Sequence, residues 1–243
     1  MAQYYGYFFP RFGYTVVLIN FASQSTFYLQ DMNKQKKQLE AIRDIRNLME
    51  KSTRFLSLSG LAGIVIGIAA IAGVTAAYAY MGLAIDQGGY HTLILNENRD
   101  PNGDIFLFLL MDLLLVLFFS IATVTIMAFK KAEKQGLPKW DGTAKRLTVQ
   151  LAVPMLAGTI LSMILLHHGL VGFIAPVSLI FYGLALFNAS KYTFDDIQYF
   201  GIAEILTGLL AALYIDFGLL FWVFGFGGLH IVYGIRIYFK YEK

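Results

Sequence analysis

The sequence predicts an all-α membrane bundle: six spanning helices, both ends cytoplasmic, and a basic amphipathic juxtamembrane helix before the first span. Three observations carry this. Of 243 residues, 57% are hydrophobic and only 14% charged, where soluble domains carry about 25% charge. The charges are segregated into short stretches between long apolar ones. Lysine and arginine also alternate between successive loops as the positive-inside rule requires.

Residues 1–31 read as an N-terminal extension, poorly structured or interfacial. Phe12 to Leu29 is apolar but broken by Asn20, Ser23, Gln24, Ser25 and Thr26, short of the ~20 clean residues a span needs. It lacks the basic start and small-residue cleavage site of a signal peptide. Met32 opens a segment that reads like a natural start. Residues 32–56 form the basic helix. Leu39, Ile42, Ile45 and Met49 share one face, and Lys34, Lys36, Lys37, Arg43, Arg46, Lys51 and Arg54 surround it. The pattern suits contact with anionic lipid through residues 33–54. A short partner or coiled-coil helix is the alternative.

The membrane domain, 57–243, holds spans at about 57–80, 105–129, 147–166, 170–189, 201–215 and 218–235. Phe194 to Phe200 extend the fifth span if Thr193 and Asp196, at capping-box spacing, start its helix. Lipid offers no hydrogen bonds, so each span must be helical. Very short turns at His168-Gly169 and at Asp216-Phe217-Gly218 make spans three–four and five–six tight hairpins. Counting six spans puts Lys and Arg from 33–54, the 130–146 loop, Lys191 and the tail on one side and leaves Arg99 alone on the other. Trp140, Tyr192, Tyr199, Tyr238 and Tyr241 fall at the basic interface, where aromatic belts form. Between the first two spans, Asp86-Gln87-Gly88-Gly89 and Asp100-Pro101-Asn102-Gly103 signal turns. Tyr90 to Leu95 between them is expected to pair weakly as a hairpin. Pro154 and Pro176 are each expected to kink a span.

Some chemistries are excluded by composition. There is no cysteine, hence no disulfide, thiolate metal site, iron–sulfur cluster or cysteine nucleophile. The net charge of +3 sits beside apolar spans, which argues against nucleic acid. No phosphate loop, HExxH or GxSxG pattern occurs in a fitting context. A bis-histidine haem fails on depth, because His167 and His168 are external and His230 lies in the inner half. No metal or cofactor is expected.

Small residues mark where helices meet. Gly63 and Gly67 have GxxxG spacing and let backbones approach closely, within the bundle or in a homodimer. Gly225, Gly227 and Gly228 cluster in span six, which suits tight packing or an unwound segment. Ionisable residues inside spans cost roughly 2.5–3.5 kcal/mol each near a helix centre, so they point to function. Glu204 and His230 lie about 12–14 residues from the external five–six turn, about 18–21 Å deep on adjacent antiparallel helices. A carboxylate beside an imidazole can hold or relay a proton, or simply tie two helices together. Arg236 is a rival partner for Glu204. Asp112, two turns into span two, should face the bundle interior.

The run from Arg46 to Ile64, RNLMEKSTRFLSLSGLAGI, and the run from Gly225 to Gly234, GFGGLHIVYG, resemble an uncharacterised family of bacterial polytopic inner-membrane proteins. The resemblance covers roughly Met32 to the C-terminus and implies a multi-pass protein of the bacterial inner membrane, with no assigned activity and no catalytic residues. Three functional readings follow. The first is a non-enzymatic scaffold, sensor or modulator of a membrane or cytoplasmic partner. The second is a small-solute or proton-coupled transporter in which Asp112, Glu204 and His230 line one cavity. The third is a membrane-embedded enzyme or redox protein.

Overall fold

A computed structural model describes residues 32, 34, 36–42, 58–84, 88–95, 102–136 and 140–243. The N-terminal extension 1–31 and most of the basic segment 33–54 lie outside them. The chain divides into two units, 1–52 and 53–243. In the first, residues 36–42 (α1) are helical, and Leu39 and Ile42 are both exposed.

The second unit is a helical bundle, and its described residues contain no strand. Its helices are α2 (Gly60–Met81), α3 (Tyr90–Ile94), α4 (Gly103–Lys134), α5 (Gly142–His167), α6 (Ile174–Ala189) and α7 (Asp196–Leu213). The last is a continuous rod of α8 (Gly218–Trp222), a π-helical stretch (Val223–Leu229) and α9 (His230–Tyr241). Six segments are long and apolar enough to cross a bilayer: α2, α4, α5, Val171–Tyr192, α7 and Ile215–Tyr241. The protein is a polytopic integral membrane protein.

Local chemistry sets the ends. Gly82, at φ 67, ends α2 in the left-handed region, and its N–H returns to Ala79 and Tyr78 carbonyls. The Asp141 side chain accepts from the Ala144 N–H at 2.7 Å and starts α5. Span two runs on to Lys134, beyond the expected 129. There Ala132 is buried and Lys131 bonds the Leu58 carbonyl at 2.7 Å and Glu242 at 3.0 Å. Span five starts at Asp196, within the expected Phe194–Phe200 extension, but Asp195 and not Thr193 stands at its N-cap.

Two expectations are corrected. Tyr90 to Leu95 is no hairpin, because Tyr90–Ile94 is a single helical turn. Tyr90, Ile94 and Val171 bury one another in an apolar cap against the starts of spans four and six, which a solvent-facing hairpin would forgo. Pro176 kinks nothing, since it is the third residue of α6, where an N–H has no partner inside that helix. The Gly172 carbonyl, which an N–H at 176 would reach, lies 3.5 Å from the Tyr90 hydroxyl. Burial, with Tyr78 beside it, holds that hydroxyl above the usual tyrosine range, so it remains a donor.

Helices in lipid gain little from burying apolar surface and associate through close van der Waals contact. Glycines supply that contact here. A Cβ on Gly60 would strike the Tyr238 backbone nitrogen, on Gly63 it would meet Gly234 Cα at 3.1 Å, and on Gly67 the Gly227 carbonyl at 2.6 Å. The Gly63/Gly67 face is thus occupied by the chain's own last span. Gly183 and Gly201 form the equivalent crossing of α6 and α7, each Cβ meeting the other's carbonyl oxygen at 2.6 Å. Gly228 departs from the expected packing role, because a Cβ there would find only Phe224 at an ordinary 3.7 Å. Spans one, four and five are 39%, 44% and 44% buried, whereas spans two and three are 6% buried. The core therefore lies among α2, α6, α7 and the last rod, with α4 and α5 on its flanks.

Candidate functional site

Three polar side chains meet inside that core, one from each of α6, α7 and α9. Glu204 is 0% exposed and His230 5%. His230 Nδ1 stands 3.7 Å from Glu204 Oε1, and its Nε2 is 2.7 Å from the Tyr182 hydroxyl. The expected pairing at matched depth is present, with a tyrosine added.

The backbone makes room for the carboxyl group. A Cβ on Gly225 would strike Glu204 Oε2 and Leu179 Cδ2, both at 2.5 Å. Any larger residue would fill the carboxyl's place. Gly225 is the third residue of the π-helical stretch, and its carbonyl lies 3.3 Å from His230 Nδ1, five residues on. π-Turns of this kind recur at functional sites, because the widened turn re-aims backbone groups. Gly227 packs outward on Ile71 of α2, so the two glycines serve opposite faces of one turn.

The hydrogen bonds fix the imidazole's protons. A carbonyl only accepts, so the contact with Gly225 places a hydrogen on Nδ1. In the neutral ring Nε2 then accepts from Tyr182. Tyr182 stacks on His230 at 5.3 Å and Phe200 meets it edge-on at 4.8 Å. The ring is clamped on two sides.

Glu204 is the anomaly. Neither carboxyl oxygen has a hydrogen-bond partner among the described residues. An ionised carboxylate placed so would be strongly disfavoured, by tens of kcal/mol in the limit of a dry interior. Chemistry offers two relieved states with the same proton count: a neutral carboxylic acid beside neutral His230, or a carboxylate beside an imidazolium 3.7 Å away. The two states differ in where one proton sits, on the Glu204 carboxyl or on His230 Nε2, because Nδ1 already carries a hydrogen toward Gly225.

The other charged candidates lie elsewhere. Arg236 does not reach Glu204. Its Nε bonds Asp196 Oδ1 at 2.7 Å. Lys240 Nζ and the Tyr241 hydroxyl meet Asp196 Oδ2 at 2.7 and 2.8 Å. Asp196, 2% exposed at the start of α7, is the nearer carboxylate at that helical level. Asp112 is half-buried against α2, where a Cβ on Gly73 would lie 3.1 Å from its Oδ2. It faces the bundle as expected, but its neighbour is that glycine and not the Glu204–His230 pair.

Tyr182 escaped sequence reasoning because tyrosine inside an apolar span passes for core. Depth would have found it. It lies 12 residues past Leu170, about 18 Å along its helix from the external turn, level with the other two. Comparisons with protein-family models, curated proteins and solved structures return no match.

Proposed function

We propose that this is a non-enzymatic, proton-responsive membrane protein in which Tyr182, His230 and Glu204 hold one exchangeable proton and the π-helical stretch transmits its presence to the bundle. One observation carries this reading: a fully buried carboxyl group without a donor among the described residues, 3.7 Å from an imidazole and seated on a glycine of a π-turn. A buried ionisable residue inside a spanning helix is a functional group by default. Buried polar groups that serve only as ties have their hydrogen bonds made.

The scaffold, sensor or modulator reading gains over the transporter. The transporter requires Asp112 in the same cavity as Glu204 and His230, and Asp112 instead contacts Gly73. The protein sits in a bacterial inner membrane with both termini cytoplasmic, as the lysine and arginine distribution supports. It is grouped with the uncharacterised inner-membrane family that the runs 46–64 and 225–234 resemble. The basic segment 33–54 would touch anionic lipid, and the partner would be a membrane or cytoplasmic protein.

Hydrogen exchange of the reconstituted protein across a range of pH tests the sensing claim. After correction for intrinsic rates, amides of 223–229 in the wild type change protection with pH, and in Glu204→Gln they do not. A wild-type profile already independent of pH would overturn the proposal.

A further inference from the structure

We infer that Arg236 and Lys240 form a binding site for the phosphate of an anionic phospholipid, separate from the proton site. Both side chains are exposed, 59% and 51%, and stand one turn apart on α9. Asp196, 3% exposed, bonds one nitrogen of each and fixes their direction. Arg236, Lys240 and Lys243 stand against Asp195 and Asp196 here, which leaves one excess positive charge at the surface. Only Nε of the guanidinium is engaged, and its Nη edge makes no hydrogen bond among the described residues. That planar fork matches two phosphate oxygens. Asp195, the adjacent acid, has a contact of its own.

The same helix provides for the rest of the lipid. Val232, Ile235 and Phe239 are exposed at 59%, 42% and 60%. They run as an apolar track up to the cations. Lys243, one turn beyond Lys240, sits 5.4 Å over the Phe239 ring. Tyr199, 62% exposed near the start of α7, marks the same level as an interfacial aromatic. An acyl chain lies along the track while its phosphate meets the fork. The long cationic side chains reach the headgroup layer as such residues do at membrane borders. A zwitterionic lipid carries an ammonium that the excess charge repels, which selects for anionic headgroups.

Native mass spectrometry of the full-length protein, with phosphatidylglycerol or phosphatidylcholine added, tests this. The wild type retains phosphatidylglycerol preferentially, and Arg236→Gln with Lys240→Gln lowers that retention about tenfold. That variant strands a buried Asp196, so the same two changes with Asp196→Asn are measured alongside, and the loss is the same. Arg236→Lys with Lys240→Arg restores it. Excess inorganic phosphate does not displace the lipid. Equal retention of the two lipids by the wild type, undiminished phosphatidylglycerol in the triple variant, or displacement by inorganic phosphate would each overturn the assignment. None of these readouts depends on Glu204, so the outcome is independent of the proton site.

Discussion

Asp196 and Glu204 lie on the same helix, eight residues and about 12 Å apart, and both are buried. Asp196 is saturated, with Arg236, Lys240 and Tyr241 all bonding it within 2.8 Å. Glu204 has no donor among the described residues. The difference is one of position. Asp196 stands at the helix start, where long side chains from α9 arrive from the surface and keep their cationic ends wet. Glu204 stands at mid-helix, beside an imidazole that a tyrosine holds. One carboxylate ties α7 to α9; the other is left with a proton to share.

Breaking the saturated carboxylate gives the largest expected effect. Asp196→Ala removes three charge-assisted bonds to one group, two of them ion pairs, and lowers stability by about 3 kcal/mol, less than a fully buried network because Arg236 and Lys240 can turn to water. Thermal unfolding in detergent checks this, with the loss expected to shrink at high salt.

Next comes Gly225→Ala. Its methyl would overlap Glu204 Oε2 and Leu179 and costs about 2 kcal/mol as an overpacked core does. The same variant should alter the hydrogen-exchange response of 223–229, as read in the pH series above.

Glu204→Gln reverses the expectation for Asp196. A neutral amide replaces a carboxyl that had no bonds to lose, so stability changes by less than about 1 kcal/mol in the same melt. A loss as large as that of Asp196→Ala would mean that Glu204 is a structural tie too. Gly228→Ala should be the smallest effect, within about 0.5 kcal/mol, because a Cβ there has room. It separates the glycine that has no packing duty from Gly225 and Gly227, which do.

The six apolar helices were legible in the sequence, because hydropathy depends on the solvent and not on detailed packing. The glycines at 63 and 67 advertised a close helix contact, though only the fold shows that the last span fills it. Counting depth brought Glu204 and His230 together. What resisted reading needs angular position on each helix. Arg236 lies within reach of either acid by sequence, and the shared level of Asp196 decides it. The π-helical turn has no periodic signature beyond its glycines. The Tyr90–Ile94 helix exists because an apolar slot at the starts of spans four and six receives it, which short-range patterning in 90–95 does not reveal.

A proton on Glu204 can be observed directly. Infrared difference spectroscopy on protein with carbon-13-labelled glutamate detects the carbonyl stretch of a protonated carboxyl directly. The wild type should show an isotope-shifted protonated-carboxyl band that responds to pH, disappears in Glu204→Gln and survives in Asp196→Asn. A spectrum unchanged by Glu204→Gln would contradict it.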